Sequence, residues 1–260
     1  MAIDLFAVLQ FLRTAPREIV LYRACRDYAQ HFDGENDPDS STNGELRVLT
    51  ALIPDCRVVF DVGANRGDWC ETVRTINPAL ELHAFEPARD SFAALAAKRL
   101  PGVTVNNLGL GAVAEQRELY ALGEDSQLRS LYRRQGLEDD HGIATPTAGE
   151  PVAITTIDDY CAERGVASID FLKIDTEGHD LKVLQGAVGM LRRRAVRFIQ
   201  FEYGAANADS RDLLRDFFAF FGEVRYNLHK IHPAGYSFYP RYNQRLENFQ
   251  YQNWLAVGDK

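Results

Sequence analysis

The sequence has little cysteine and no closely spaced pair of cysteines. Cys25, Cys56, Cys70 and Cys161 lie far apart along the chain. Zinc clusters need closely spaced ligands, and disulfide frameworks are typical of small secreted chains. The pattern therefore disfavours both and predicts reduced thiols in a cytoplasmic protein.

A long apolar run is also missing. Residues 1–12 are mostly apolar, but a helix that spans a bilayer takes about 20 residues. The segment has neither the positive start nor the small-residue cleavage site of a secretory signal. We therefore predict no transmembrane segment, and expect an amphipathic helix that packs on the protein body or on a partner, such as a second copy in a homodimer. A membrane-surface anchor is the alternative.

Basic residues are fewer than acidic ones, 29 Lys and Arg against 37 Asp and Glu, for a formal net charge of −8. Binding to a phosphate backbone needs a basic surface, so this balance argues against a nucleic-acid partner. The 260 residues, 46% hydrophobic and 25% charged, are typical of a globular protein. Their number favours one α/β domain with an appendage.

Turn-forming residues divide the chain near its start. Residues 33–42 are rich in Asp, Gly, Pro and Ser and predict a loop or linker. Thr42 and Glu45 have the spacing of a capping box before an apolar stripe, which predicts a helix start. We therefore expect a helical N-terminal extension with its linker over 1–42 and a larger domain over 43–260.

Strand and helix patterns alternate from residue 57 onward, which is typical of a parallel sheet with helices on both faces. The predicted strands cover residues 58–61, 80–86, 103–107, 169–175 and 196–202. Two late strands, 224–228 and 253–257, are predicted as an antiparallel edge pair. Residues 180–193 are predicted to form one helix.

The polar stretch 123–150 interrupts this alternation. So long a stretch without obvious structure is unusual in a compact domain unless it covers a site, and a lid and a plain surface loop both remain open. Its residues Arg129, Arg133 and Arg134 could hold a phosphate or a nucleotide sugar, or they could simply be solvated.

A glycine turn follows the first strand. The strand ends at Asp61, and the chain then turns through Gly63 and Gly67 into a helix. Glycine lets the backbone come close to a ligand at the carboxyl end of a parallel strand. An acid there would repel a pyrophosphate, and Asn65 stands where a dinucleotide site needs its middle glycine. The turn therefore disfavours NAD and FAD and suits a ligand with a cationic amino group.

A second acid, Glu86, ends the next strand and follows Asp61 by 25 residues. In nucleotide-binding βαβ units, an acid at a roughly 20-residue offset binds the ribose hydroxyls. The two acids could merely end two strands. Together with the glycine turn, they favour a ligand with an amino acid head and a bare ribose, such as S-adenosylmethionine.

Four segments carry a resemblance to one family. They are Asp61-Val-Gly-Ala-Asn-Arg-Gly67, Phe85-Glu-Pro87, Phe171-Leu-Lys-Ile-Asp-Thr-Glu-Gly-His-Asp180 and Leu184-Gln-Gly-Ala187. With them the chain resembles the FkbM family of S-adenosylmethionine-dependent O-methyltransferases. The resemblance implies the class I methyltransferase fold, an α/β Rossmann-like fold with seven mostly parallel strands in the order 3-2-1-4-5-7-6. It also implies action on hydroxyls of polyketides or of sugars in surface glycans.

The resemblance implies which residues bind the cofactor. The residues assigned to the methionine end of the cofactor are Asp61, Gly63, Ala64, Asn65 and Gly67. Glu86 and Pro87 are assigned to the ribose, and Asn107 and Leu108 to the adenine. All of them follow the first three strands, so we expect them at one edge of the sheet.

Methylation of a sugar hydroxyl needs a residue that removes its proton, because such a hydroxyl has a high pKa. The candidates follow the central strands, beside the expected cofactor: Asp175, Glu177, His179 and Glu202. His179 has the pKa suited to proton removal near neutrality, with a helix cap as its alternative role. Asp175 could be the base or orient the substrate, and Glu202 could be base, substrate clamp or structural acid. Lys173 shares a strand face with Asp175, so we expect the two to pair.

A metal is one alternative. Asp175 and Glu202 on adjacent strand ends resemble the acidic pair that binds magnesium in catechol-type O-methyltransferases, since hard cations prefer oxygen ligands. No third ligand is evident. We therefore keep a divalent metal as an alternative without favouring it.

The function predicted from these residues and this resemblance is methyl transfer to a hydroxyl of a sugar, in a glycan, a polysaccharide or a glycosylated natural product. A polyketide or another small molecule is the alternative acceptor. A nicotinamide-dependent oxidoreductase would use a similar fold, but the missing middle glycine counts against it. The intact first motif argues against a non-catalytic scaffold.

Overall fold

The computed structural model describes residues 4–14, 19–121, 129–134 and 148–258. The strands in this part of the chain are β1 (Val58–Val62), β2 (Glu81–Phe85), β3 (Val103–Asn106), β4 (Gly109–Leu110), β5 (Glu115–Ala121), β6 (Arg129–Ser130), β7 (Glu150–Thr155), β8 (Ile169–Ile174), β9 (Val196–Tyr203), β10 (Tyr226–His232), β11 (Gly235–Tyr239) and β12 (Gln252–Gly258). They form a sheet of eight strands and a smaller sheet of four.

The large sheet has the order β11-β10-β12-β9-β8-β1-β2-β3. From β3 to β9 neighbouring strands are parallel, and β12 runs antiparallel between β9 and β10. Without β11 this is the order 3-2-1-4-5-7-6, so the predicted class I methyltransferase fold is confirmed. Seven strands were predicted and the sheet has eight, because the chain turns back after β10 and adds β11 as an antiparallel edge strand. The two late strands do pair, but β12 lies inside the sheet.

Helices cover both faces of the large sheet. The helices in the described part of the chain are α1 (Leu5–Thr14), α2 (Ile19–Asp33), α3 (Glu45–Leu52), α4 (Asp68–Ile76), α5 (Arg89–Ala97), α6 (Ile157–Arg164), α7 (Asp180–Gln185), α8 (Val188–Arg192), α9 (Ala206–Ser210) and α10 (Leu214–Glu223). Val59 packs with buried residues of α3, α4 and α5. Its neighbour Phe60 packs with those of α6, α7, α8 and α10. Successive strand residues point to opposite faces, so the sheet has a hydrophobic core on each side.

The helix predicted over 180–193 is two helices, α7 and α8. The carboxylate of Asp158 accepts hydrogen bonds from the N–H groups of Gly189 and Met190, at 2.7 and 2.8 Å. An aspartate that accepts from the first N–H groups of a helix marks a helix start. The prediction of one helix is therefore wrong, because a side chain distant in sequence caps a second one.

The predicted capping box is also wrong, although α3 does begin at Glu45. Its N-cap is Gly44, with φ of +100°, and the N–H of Glu45 donates to Asn43 Oδ1 at 2.8 Å. The Glu45 carboxylate turns inward and accepts from Trp69 Nε1 at 3.1 Å and from Gln200 Nε2 at 2.9 Å. Glu45 thus belongs to a buried polar network under the central strands.

The smaller sheet, β4-β7-β5-β6, lies in the middle of the chain, and its strands β5 and β7 lie on either side of the polar stretch. Most of that stretch lies outside the described residues. Its described piece, residues 129–134, lies beside the turn after β8, where Ser130 Oγ donates to the carbonyl oxygen of Glu177 at 2.8 Å.

The first two helices expose apolar side chains. Phe6 and Phe11 of α1 are 76% and 62% exposed, and Val20 and Phe32 of α2 are 74% and 69% exposed. Packing on the protein body is not seen for these side chains, so a contact with a partner and a membrane-surface anchor both stay predictions. No described helix is long and apolar enough to cross a membrane.

The loop that follows α2 is docked on the large sheet. A Cβ on Gly34 would lie 2.6 Å from the carbonyl oxygen of Ile231, so the loop backbone contacts β10 directly. The Glu35 carboxylate pairs with the buried Lys230, and the Glu35 backbone forms a β-bridge with Gln252. This segment was predicted as a loop or a linker, and these contacts show a loop that packs against the sheet.

Candidate active site

A cavity of about 1100 Å³ opens at the carboxyl ends of the parallel strands. Eight of the residues predicted for the site line it: Gly63, Asn65, Glu86, Pro87, Asp175, Glu177, His179 and Glu202. Open α/β sheets bind their ligands at this edge. The volume lies at the upper end of the roughly 300–1,000 Å³ range of small-molecule sites.

Five of the predicted cofactor residues do not line the cavity: Asp61, Ala64, Gly67, Asn107 and Leu108. Asn107 is exposed to solvent, and its Nδ2 donates to the carbonyl oxygens of Glu86 and Pro87, both at 3.0 Å. Gly109 and Leu110 of β4 line this end instead. Asn107 therefore shapes the turn that carries Glu86.

Asp61 is buried beneath the cavity, so the expected direct contact with a ligand amino group does not agree with its position. Its carboxylate is fully buried, lies 3.4 Å from Lys173 Nζ and accepts from the free thiol of Cys70 at 3.1 Å. Lys173 also lies 3.1 Å from Asp175, the pairing that strand alternation predicts. Burial tends to lower the pKa of Lys173, but Asp175 and Asp61 outweigh it and hold the pKa well above its ordinary value. Asp61 thus keeps a charged lysine beside Asp175.

The glycine turn after β1 is closed by backbone contacts. Gly63 has φ of +85°, and a Cβ there would lie 1.8 Å from the carbonyl oxygen of Asp175. The N–H groups of Gly63 and Ala64 both donate to the last carbonyl of β2, at 3.0 Å. A Cβ on Gly67 would instead lie 2.3 Å from Leu95 Cδ1. Gly63 therefore brings three strand ends together at the cavity, whereas Gly67 lets α4 and α5 pack.

Glu86 is held at the cavity wall by backbone donors. Its two carboxylate oxygens accept from the N–H groups of Asn65 and Ala88, each at 2.8 Å. Burial raises the pKa of Glu86 to about 7, although these hydrogen bonds oppose the rise. Each oxygen keeps an unused lone pair, so Glu86 can accept hydrogen bonds from a pair of neighbouring hydroxyls.

Four carboxyl groups crowd the ends of β8 and β9. Burial and the charge of Asp175 raise the pKa of Asp180 to about 7 and also raise the pKa of Glu177. The pKa of Glu202 is raised well above its ordinary value by burial and by its three acidic neighbours. Like charges so close do not all ionise without a compensating charge. A positively charged ligand in the cavity would therefore be favoured.

His179 lines the cavity, but its surroundings do not suit proton removal. Nδ1 lies 2.8 Å from Tyr132 Oη. Nε2 is buried with no hydrogen-bond partner among the described residues, and a Cβ on Gly111 would lie 2.9 Å from it. Burial lowers the pKa of His179 to about 3, so the expectation of a near-neutral pKa is wrong. A neutral imidazole between Tyr132 and Gly111 is typical of a packing residue.

The arginines of the polar stretch that line the cavity are paired with acids. Arg129 lies between the carboxylates of Asp90 and Glu150. Arg134 lies 2.6 Å from Glu177 and binds it on the cavity side. Such paired guanidinium groups are already neutralised. This wall therefore does not favour a phosphate or a nucleotide sugar.

Within the residues that the structure describes, no group of three or more His, Cys, Asp or Glu side chains could hold a metal ion. The predicted acidic pair, Asp175 and Glu202, does line one cavity, but Asp175 is paired with Lys173. The magnesium alternative thus has two carboxylates and no third side-chain ligand in the described part.

One wall of the cavity was missed by the sequence analysis. It is formed by residues of two distant segments, Asn36 and Pro38 after α2, and Phe249, Gln250 and Tyr251 before β12. No motif or periodicity marks them. They reach the site only because the docked loop after α2 packs against the segment that leads into β12.

Two curated proteins are similar to parts of the chain. One is the 31-O-demethyl-FK506 methyltransferase FkbM of Streptomyces tacrolimicus, 34% identical over 152 residues, which cover 50% of this chain and 58% of that protein. The other is the 2-O-methyltransferase NoeI of Sinorhizobium fredii, 25% identical over 201 residues, which cover 71% of this chain and 77% of that protein. The chain thus matches little more than half the length of the first relative.

Among solved structures, the chain is similar to precorrin-6y C5,15-methyltransferase from Geobacter metallireducens GS-15, with a TM-score of 0.43, 11% identity, and coverage of 82% of this chain and 87% of that chain. A family model described as "Methyltransferase FkbM domain" matches residues 61–238. This stretch holds the glycine turn, Glu86 and the carboxyl cluster. The chain therefore belongs to the FkbM family of S-adenosylmethionine-dependent methyltransferases.

Proposed function

We propose that the protein methylates the oxygen of a hydroxyl group, and that this hydroxyl belongs to a sugar of a glycan, a polysaccharide or a glycosylated natural product. The observation that carries the proposal is Glu202, a carboxyl of raised pKa on the cavity wall next to a wall rich in amides and aromatic rings. The names of both relatives support transfer to oxygen. A polyketide or another small molecule is the second candidate acceptor, because one relative is named for 31-O-demethyl-FK506 rather than for a sugar.

The residues of the wall fit S-adenosylmethionine. The glycine turn packs the end of β1 directly against the backbone after β8 and so places Gly63 at the cavity wall, and Glu86 has free lone pairs for the two ribose hydroxyls. We place the amino acid end beside Asp175, which takes the role first expected of Asp61, and the adenine beside Gly109 and Leu110. When bound, the cofactor supplies a methyl group on a positively charged sulfur, and the carboxyl cluster complements that charge.

We assign removal of the acceptor proton to Glu202. A carboxyl with a raised pKa is a stronger base once it is ionised, and a positive charge bound nearby favours ionisation. Glu177 is bound by Arg134, and both nitrogens of His179 are covered or hydrogen-bonded. Asp175, fixed by Lys173, serves to orient the bound molecules.

Two measurements test this function. Isothermal titration should show saturable binding of S-adenosylhomocysteine, and the absence of heat at millimolar ligand would contradict cofactor use. Radiolabelled S-adenosylmethionine should then label methyl glycosides of fucose, rhamnose, glucose, galactose or mannose. Their fully O-methylated counterparts are matched controls and should stay unlabelled. Labelling of amine-bearing compounds alone would overturn transfer to oxygen.

Glu86 predicts a pH dependence of cofactor binding. Because burial raises its pKa to about 7, the group loses its full acceptor capacity below that pH and is ionised above it. We expect S-adenosylhomocysteine to bind about tenfold more tightly at pH 8 than at pH 6. Isothermal titration across this range measures the effect. The Glu86→Gln variant lacks this titrating group, so the pH dependence of its affinity reports all the other groups. If that affinity changes with pH as steeply as in the wild type, Glu86 does not bind the ribose.

Two expectations from the sequence stay predictions. One is a cytoplasmic location, and the other is a homodimer, for which the exposed apolar side chains of α1 and α2 make a contact surface available.

A further inference from the structure

We propose that acceptor choice is set by residues outside the stretch that defines the family, namely Asn36 before it and Gln250 and Tyr251 after it. The family match covers residues 61–238, whereas all three of these residues line the cavity. The proposal rests on the proposed function, because it needs an acceptor that enters beside Glu202.

The register of the sheet puts this wall next to Glu202. In the pairing of β12 with β9, Asn253 lies opposite Glu202. Just beyond, a Cβ on Gly204 would lie 3.3 Å from Tyr251 Cα. Burial raises the pKa of the Tyr251 phenol, and the charge of Glu202 adds to the rise, which is consistent with their closeness. An acceptor hydroxyl that reaches Glu202 is therefore within reach of the Tyr251 side of the wall.

The wall is fixed by interlocking hydrogen bonds. The N–H of Asn36 donates to the carbonyl oxygen of Tyr251 at 2.9 Å, and the N–H of Tyr251 donates to Asn36 Oδ1 at 3.1 Å. Gln250 Oε1 accepts from Asn36 Nδ2 and, at 3.1 Å, from Gln30 Nε2. The loop is anchored again at Glu35, which accepts from Asn248 Nδ2 at 2.9 Å. Side chains held in this way are preorganised to meet a ligand.

The hydrogen-bonding capacity that these side chains have left indicates the class of methyl acceptor. Asn36 Nδ2 and Gln250 Nε2 each carry two hydrogens, and Gln250 uses one of them on the carbonyl oxygen of Asn248, at 3.3 Å. Tyr251 Oη accepts from Asn253 Nδ2 at 3.1 Å and keeps its own hydrogen for another partner. These are neutral donors that suit hydroxyl oxygens. The carboxyl groups nearby repel an anion, and Arg26, a cation of α2 that also lines the cavity, is paired with Asp27 at 3.0 Å. The wall therefore fits a neutral, polyhydroxylated acceptor.

Single alanine variants of the wall test this inference. The probe is the methyl glycoside that the wild-type protein labels best. We expect Asn36→Ala and Gln250→Ala each to raise the KM for this glycoside about three- to tenfold, the loss typical of one neutral hydrogen bond. The Kd of S-adenosylhomocysteine should stay within about twofold of wild type, because the cofactor lies on the other side of the cavity. Gln116→Ala, which removes an exposed amide on β5 away from the cavity, is the matched control and should keep the wild-type KM.

A second measurement uses the unaltered chain and no turnover. With S-adenosylhomocysteine present, the same glycoside should slow amide hydrogen exchange in residues 34–38 and 248–252. Unchanged exchange there, or an unchanged KM in both variants while the wild type methylates the glycoside, overturns the inference and leaves the proposed function standing. Loss of S-adenosylhomocysteine affinity in the variants also overturns it. If the wild type methylates no hydroxyl of the panel, the proposed function fails and the inference fails with it.

Discussion

Replacing Glu202 by glutamine is expected to lower the kcat of methyl transfer by about 100- to 10,000-fold, the usual contribution of a positioned general base. The variant keeps the size of the side chain and loses only the ability to take a proton. It also removes one acid from a crowded cluster, so folding should not suffer. Methyl transfer to the best glycoside at saturating substrate measures kcat, and isothermal titration of S-adenosylhomocysteine should show binding close to wild type.

The same substitution at Glu177 is the matched comparison. Glu177 belongs to the same cluster, but Arg134 binds its carboxylate at 2.6 Å. We therefore expect Glu177→Gln to have the smaller effect on kcat. A larger loss in Glu177→Gln would transfer the role of base to that residue. Weak cofactor binding with normal kcat in Glu202→Gln would make Glu202 a clamp for the cofactor.

Gly63→Ala is expected to destabilise the protein by about 4–5 kcal/mol, through two costs that act at one position. The positive φ of Gly63 costs an alanine about 1–2 kcal/mol. The new Cβ would lie 1.8 Å from the carbonyl oxygen of Asp175, and such overpacking against backbone adds about 3 kcal/mol. Urea unfolding measures the loss. Cofactor affinity should fall as well, because the turn after β1 must open.

Gly165→Ala separates the two costs. Gly165 has φ of +70°, but a Cβ there has no atom within 4 Å. We expect it to lose only about 1 kcal/mol, the cost of the backbone conformation alone. Equal losses at Gly63 and Gly165 would show that the clash with Asp175 is relieved by a small backbone shift.

Local patterns predicted the sheet and the part of the cavity wall that holds the glycine turn and Glu86. Alternation of apolar strands and amphipathic helices is a property of neighbouring residues, so the parallel strands follow from it directly. The pairing of Lys173 with Asp175 follows from the two-residue period of a strand, and the glycine turn followed by Glu86 from its spacing. Each of these inferences needs only a few consecutive residues.

Features that depend on distant residues were missed. The expected capping role of Glu45 is lost because Trp69 and Gln200 bind its carboxylate. The expected pKa of His179 is wrong because Gly111 and Tyr132 bury the ring. Burial and long-range partners decide such properties, and a single sequence carries no local signal for them. The cavity wall formed by Asn36, Pro38 and residues 249–251 was missed for the same reason.

The position of β12 has a consequence for how the chain is made. β12 lies between β9 and β10, yet the ribosome synthesises it after both. Until β12 leaves the ribosome, the facing edges of β9 and β10 stay unpaired, and Gln250 and Tyr251 are not held in position. A product terminated before residue 252 would expose two unpaired strand edges, which invite aggregation, and nothing would hold Gln250 and Tyr251 beside Glu202. Synthesis through β12 is therefore needed both to close the sheet and to complete the cavity.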